Sequence, residues 1–252
     1  MQFFIIFILF VFPLESISPK VIAHRGASGQ APENTLSAFK LAEKQQVDAI
    51  EMDIHLSKEG IPIIIHDGNF GATTDSAFLQ RTLDLSLAQI KELDVGGSFH
   101  SNFQGEKIPT LKEVFTEIRT VPLMLEIKQS SVKPEVIAEA VVSLLQETPT
   151  FVWIGSFDPE ILEAVKQLAP GRPLIGILER VEMIETFKQK GISHLAIAWE
   201  LLSPSLIEEL HREKIEVWTY TVDNPLFAKY LASIEVDGII TNHPSAIQKA
   251  LQ

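Results

Sequence analysis

The sequence predicts an α/β fold, a TIM-type (β/α)8 barrel with a small insertion after the strand that ends at His66. Three observations lead there. The length of 252 residues is typical of one such barrel, and no Ser/Gly-rich linker or low-complexity stretch divides the chain. Apolar strand-like runs alternate with amphipathic helical stretches, the pattern of βαβ units that feed a parallel sheet. Several of those runs end in charge: Val21-Ile22-Ala23 in His24-Arg25-Gly26, Ala49-Ile50 in Glu51-x-Asp53, Ile63-Ile64-Ile65 in His66-Asp67, and Leu123-Met124-Leu125 in Glu126-x-Lys128. A core has no use for bare charge, so these tips imply strand C-termini converging on one polar pocket.

Strands are expected at 20–24, 48–54, 61–66, 121–127, 151–155, 173–178, 194–198, 215–221 and 237–241. Helices are expected at 35–46, 110–119, 134–147, 159–169, 180–190, 204–213, 224–232 and 244–251. Asn34-Thr35, Asp158-Pro159, Ser203-Pro204 and Asn224-Pro225 supply helix-start signals, a capping side chain and, in three of them, a Pro in the first turn. Gly191 ends a helix after Lys188 and Lys190. Nine strands are one more than the barrel needs, and the spacing identifies the extra one. Only His55-Leu56-Ser57-Lys58-Glu59-Gly60 separates 48–54 from 61–66, too few residues for a parallel crossover. These two segments should form an antiparallel hairpin that brings His66 roughly opposite Asp53. Residues 67–109 lack strong periodicity apart from a short helix near 86–93, and read as an insertion over the site.

Composition narrows the function. The formal net charge is -12 and there is no Lys/Arg block, so nucleic acid is not an expected partner. With no cysteine, disulfides, thiolate nucleophiles and Cys-based zinc sites are excluded. Phe3 to Phe12 is an unbroken apolar run, followed by Pro13 and Leu14. It is short for a membrane span and matches the apolar region of an export signal. Residues 1–18 are therefore expected to be a signal peptide or anchor, with 19–252 the catalytic domain and its 67–109 insertion, in an exported or membrane-associated protein; a segment packed under the barrel is the alternative.

Strand parity sorts the charged residues. Residues i and i+2 share a face, so Glu51 and Asp53 point together into the barrel while Ile50, Met52 and Ile54 face its helices. Glu126 and Lys128 repeat the arrangement opposite Leu125 and Ile127. Carboxylates sharing a pocket repel one another, so either some hold protons or a cation sits among them. Oxygen-only donors favour a hard ion, Ca²⁺ or Mg²⁺. His24 and His66 are the natural proton carriers, Arg25 can grip a phosphate bidentately, and Lys128 adds a point charge. His55 and His100 are further candidates for the entrance, His194 and His211 for structural or surface roles, and His243 for the rim. Trp199, Trp218 and Tyr220 lie at or near late strand ends, as pocket wall or barrel filling.

Ala23-His24-Arg25-Gly26, Pro32-Glu33-Asn34-Thr35, Glu51-x-Asp53, His66-Asp67 and Glu126-Ile127-Lys128 together resemble the signature of the glycerophosphodiester phosphodiesterase family. Ile108-Pro109-Thr110-Leu111, Ser156-Phe157-Asp158, Val217-Trp218-Thr219 and Asp237-Gly238-Ile239-Ile240-Thr241 follow in that family's order, so the resemblance runs from about 20 to 252. It implies a TIM barrel, a divalent metal on Glu51, Asp53 and Glu126, His24 and His66 as acid/base pair, and Arg25 and Lys128 on the phosphate. The implied reaction is hydrolysis of a small-molecule glycerophosphodiester to sn-glycerol 3-phosphate and an alcohol. Two departures bear on specificity: Ala72-Thr73-Thr74 stands where the family usually has Arg-Thr-Thr, and Thr241-Asn242-His243-Pro244 where it has Thr-Asp-x-Pro. A lipid-acting relative, lysophospholipase D or sphingomyelinase D-like, is the nearest enzymatic alternative; a silent binding protein for the same diesters is the non-enzymatic one.

Overall fold

The computed structural model describes residues 18–69 and 80–252. The apolar run at Phe3–Phe12 and the Ala72-Thr73-Thr74 departure lie outside the described residues. Nine strands form one sheet: β1 (Lys20–Ala23), β2 (Ala49–Leu56), β3 (Pro62–Ile64), β4 (Leu123–Ile127), β5 (Val152–Ser156), β6 (Leu174–Leu178), β7 (His194–Ala198), β8 (Glu216–Tyr220) and β9 (Gly238–Thr241). Their order is β1-β9-β8-β7-β6-β5-β4-β2-β3, and β1 also pairs with β2. That last pairing closes eight parallel strands into a barrel and leaves β3 outside it.

The hairpin is where the spacing predicts it. β3 runs antiparallel to β2, with Ile54 opposite Ile64 and Leu56 opposite Pro62. β2 extends two residues beyond the expected end because the hairpin arm gives it a partner above the barrel. β3 is shorter than expected: Ile65 N still donates to Asp53 O at 3.0 Å, after which the chain leaves the ladder and turns His66 toward the mouth.

Helices pack round the outside: α1 (Leu36–Lys44), α2 (Leu87–Glu92), α3 (Leu111–Glu117), α4 (Pro134–Val142), α5 (Pro159–Leu168), α6 (Met183–Gln189), α7 (Pro204–Arg212), α8 (Pro225–Ser233) and α9 (Pro244–Leu251). Thr35, Asp158, Ser203 and Asn224 each cap the following helix. The long helix expected over 134–147 is two pieces, α4 and a 3₁₀ turn at Leu145–Glu147. Among the described residues no helix is long and apolar enough to cross a membrane.

Side-chain parity divides the core. Ile50, Met52, Ile54, Leu123, Leu125 and Ile127 face outward and pack with Phe39, Leu111, Val114 and Phe115 of the helices. Ile22, Ala49, Met124, Ile175, Ala196, Trp218 and Ile240 face inward and fill the barrel. The inward rows continue toward the strand C-termini as Glu51, Asp53 and Glu126, all buried. Trp218 is thus barrel filling rather than pocket wall. A Cβ on Gly238 would lie 2.5 Å from its ring, so only glycine lets β9 pass the indole.

At the opposite end the barrel has a polar floor. Trp218 Nε1 donates to Glu216 Oε1 at 2.9 Å, Lys20 Nζ lies 3.0 Å from the same oxygen, and the His194 ring meets Trp218 edge-to-face at 4.4 Å. Burial, together with the nearby Lys20 ammonium and despite Glu216, lowers the His194 pKa to about 4. The unfolded chain therefore takes up a proton at this residue near pH 6.5 that the native fold refuses until about pH 4. Stability from this group is full above pH 6.5 and declines on acidification, by on the order of 2–3 kcal/mol. Urea midpoints at pH 7 and pH 4.5 should be closer together in His194→Gln than in the wild type; an unchanged gap would remove His194 from the acid response.

Candidate active site

The barrel register builds the centre. Asp53 and Glu126 are direct partners across the β2–β4 ladder, and Glu51 lies two residues back on the same face as Asp53. One carboxylate oxygen from each of Glu51, Asp53 and Glu126 lies within 4.8 Å of the others. Two cations are clamped against the cluster. Lys128 Nζ is 2.8 Å from Asp53 Oδ1 and pairs closely with Glu126. Arg25 Nε is 3.3 Å from Asp53 Oδ2, while Arg25 Nη1 donates to both Glu33 carboxylate oxygens at 2.9 Å. Asn34 completes the hold on Asp53: its Nδ2 donates to Oδ2 at 2.8 Å, and its Oδ1 accepts from Asp53 N at 3.2 Å.

The turn after β1 is shaped for this. Arg25 (φ 56) and Gly26 (φ 82) are both left-handed, and a Cβ on Gly26 would lie 2.7 Å from Ala38 C. The turn aims the Arg25 backbone N–H at Glu51 Oε2, 2.8 Å away. Asn34 is left-handed as well (φ 57), a conformation asparagine tolerates better than most residues.

The electrostatics follow from three carboxylates against two cations in a dry setting. Burial raises a carboxyl pKa, yet Lys128 and Arg25 hold Asp53 down to about 2. Glu51 and Glu126 go the other way: burial, and then the fixed charge of Asp53, push both above the usual carboxylate range. Lys128 is raised despite burial, by Asp53 and Glu126. Glu51 Oε1 is buried with no hydrogen-bond partner among the described residues. An all-oxygen, proton-hungry cluster with an orphaned oxygen fits a hard divalent cation.

Both candidate histidines have their tautomer fixed by neighbours. Asn242 Nδ2 donates to Asp223 Oδ2 at 2.7 Å, and Ser28 donates to Asn242 Oδ1 at 2.8 Å. That Oδ1 therefore accepts, and His24 Nδ1 donates to it across 2.7 Å. His24 Nε2 is left facing the acidic cluster, 4.0 Å from Glu51 Oε2. Burial, and then Arg25, lower the His24 pKa to about 4. His66 Nδ1 meets Asp67 Oδ1 at 2.9 Å, which also leaves Nε2 outward. His55 supports His66 from below: its Nε2–H donates to the His66 carbonyl at 3.1 Å.

Two cavities meet at His66. One, of about 330 Å³, is lined by His55, His66, Asp67, Glu126, Lys128 and Phe157. The other, of about 470 Å³, includes Arg25, Glu33, His66, Val95 and Phe99. His24, Arg25, Glu51, Asp53, His66, Glu126 and Lys128 thus gather at one mouth. His55 lines the entrance as expected. His100 does not: it caps the Ser101–Phe103 turn of the insertion, where its side chain serves local structure. His194 belongs to the floor, His211 pairs with Asp237 at 2.9 Å, and exposed His243 packs over Gly29. Parity and strand tips missed Asn34, Asn242 and Asp223, since a neutral amide or a loop carboxylate has no periodicity to reveal its partner.

A sequence model described as the glycerophosphoryl diester phosphodiesterase family matches residues 24–246. A glycerophosphodiester phosphodiesterase of Caldanaerobacter subterraneus subsp. tengcongensis is 35% identical over 240 residues, covering 90% of this chain and 95% of that one. One from Bacillus subtilis is 29% identical over 251 residues, covering 90% and 85%. Among solved structures, an Oleispira antarctica phosphodiesterase in complex with the product sn-glycerol-3-phosphate superposes with a TM-score of 0.88 at 31% identity, over 92% of this chain and 96% of that one. With the family's model matched from His24 to almost the C-terminus, on a barrel of the same architecture, the chain belongs to the glycerophosphoryl diester phosphodiesterase family.

Proposed function

We propose that this chain hydrolyses glycerophosphodiesters to sn-glycerol 3-phosphate and an alcohol, using His24 and His66 as proton carriers and Glu51, Asp53 and Glu126 as ligands of a divalent cation, Ca²⁺ or Mg²⁺. The observation that carries the reading is the buried carboxylate trio with an orphaned Glu51 oxygen, flanked by imidazoles whose Nε2 atoms have no hydrogen bond among the described residues. The family's activity and the product held by the Oleispira relative support it. When bound, the cation supplies Lewis-acid stabilisation of charge on a phosphoryl oxygen.

The residues divide the remaining work. Arg25 and Lys128 bind the other phosphoryl oxygens, turning a locally basic patch of an acidic protein toward an anionic substrate. His24 is half-buried and neutral, with Nδ1–H tied to Asn242, so its Nε2 lone pair takes the proton of the attacking hydroxyl, either water or the substrate's own glycerol hydroxyl, the latter forming a cyclic phosphate that water then opens to glycerol 3-phosphate. His66 is the general acid, its ring oriented by Nδ1 against the Asp67 carboxylate. Its Nε2–H protonates the departing alkoxide as the P–O bond breaks, so the alcohol leaves neutral.

His66→Ala should lower kcat by about 10²–10⁴ while the melting temperature stays close to wild type; near-normal turnover would end its assignment. Asp223→Asn touches no substrate, yet it should lower kcat several-fold with KM little changed by loosening Asn242 behind His24; an unchanged kcat would detach the relay from the reaction. EDTA should abolish hydrolysis, with Ca²⁺ or Mg²⁺ restoring it, and Glu126→Gln should raise the cation concentration needed for half-restoration well over about tenfold. Hydrolysis that persists without metal would overturn the role given to the trio. Turnover of lysophosphatidylcholine in preference to glycerophosphocholine would favour the lipid-acting alternative.

A further inference from the structure

A third cavity opens at the mouth, beside the reaction centre. It has a volume of about 400 Å³ and is lined by Glu179, Ala198, Trp199, Glu200, Leu201, Tyr220 and Thr221, from the C-terminal ends of β6, β7 and β8. Its chemistry is the reverse of the phosphate side. No basic side chain lines it, and neither Glu179 nor Glu200 is ion-paired among the described residues. Two aromatic rings share the walls with these two carboxylates.

Both aromatics are held in place. Trp199 packs edge-on against Phe227 at 5.1 Å, which braces the indole although it is 39% exposed. The Tyr220 hydroxyl donates to Leu178 O at 2.9 Å, which ties the ring across the ends of two strands. The cavity also adjoins the catalytic one, the two sharing an aromatic wall. Phe157, which lines the cavity shared by His66, Glu126 and Lys128, meets Tyr220 edge-to-face at 6.0 Å. Tyr220 is raised above the usual phenol range first by burial and then by Glu179, Glu126 and Glu200, so one side chain lies in the field of both the carboxylate trio and the acidic cavity.

We infer that the Glu179–Trp199–Glu200–Tyr220 cavity is the subsite for a cationic alcohol head group, an ammonium of the choline or ethanolamine class. Aromatic faces attract a quaternary ammonium through their quadrupole, and two carboxylates with no ion-pair partner among the described residues supply net negative potential. The inference rests on the phosphodiesterase reading above and deepens it: phosphate on Arg25 and Lys128, leaving oxygen at His66, and head group running past Phe157 to Tyr220 and Trp199.

Two measurements test it. Trp199 is the one exposed large tryptophan of the described chain, so titration of the metal-free protein with choline should change tryptophan fluorescence. The neutral isostere 3,3-dimethylbutan-1-ol should not do so over the same range, and Trp199→Phe should lose the response. Kinetically, the Glu179→Gln/Glu200→Gln double variant should raise KM for glycerophosphocholine about tenfold and leave KM for uncharged glycerophosphoglycerol, and kcat for both, near wild type. Equal response to choline and its isostere, or equal KM changes for the two diesters, would overturn the subsite. Choline binding without turnover of any diester would instead overturn the phosphodiesterase reading and leave the ammonium site standing.

Discussion

The fixed negative charge of Asp53 is the constraint around which the mouth of the barrel is arranged. A carboxylate this deeply buried is expensive unless its oxygens are met by cations and donors. Here Lys128, Arg25 and both ends of the Asn34 amide meet it. Each partner arrives from a different segment: Lys128 just beyond β4, Arg25 from the turn after β1, and Asn34 from the approach to α1. Satisfying one side chain therefore draws three connections together. It also transmits a cost to Glu51 and Glu126, which cannot all ionise comfortably beside a permanent anion.

The β2–β3 hairpin is the second organising device. The eight parallel strands alone would carry side chains only on the inside of the mouth. Pairing β3 outside the closed barrel extends β2 upward and lets the chain turn back over the mouth at His66. His55, on the extension, braces the His66 carbonyl. A histidine is thus suspended above the carboxylates from an arm that takes no part in barrel closure, and the insertion that follows grows from this arm rather than from a barrel strand.

Much of this was legible in the chain. Period-2 parity separates Glu51 and Asp53 from Ile50, Met52 and Ile54 because strand geometry leaves no other choice, and the short 55–60 link forces a hairpin because a crossover needs more residues. Legibility failed where partners come from distant loops. Asn242, itself held by Asp223, meets His24 only because β9 lies beside β1 in the closed barrel. That closure brings residues more than two hundred positions apart into hydrogen-bond contact, and no local pattern announces it. His100 misled for the complementary reason: a histidine in a polar insertion has the composition of an entrance residue, but its backbone needs a cap there. Trp218 was open between wall and filling, and the side of β8 on which it falls settles it.

The packed interior governs traffic. Beneath the carboxylates, Ile22, Met124, Ile240 and Trp218 occupy the barrel bore, and His194, Glu216 and Lys20 stopper its far end. There is no back door among the described residues. Whatever reacts in such a cup enters and departs through the same opening. A tryptophan plug at the base of the barrel thereby makes its top the single way in and out among the described residues.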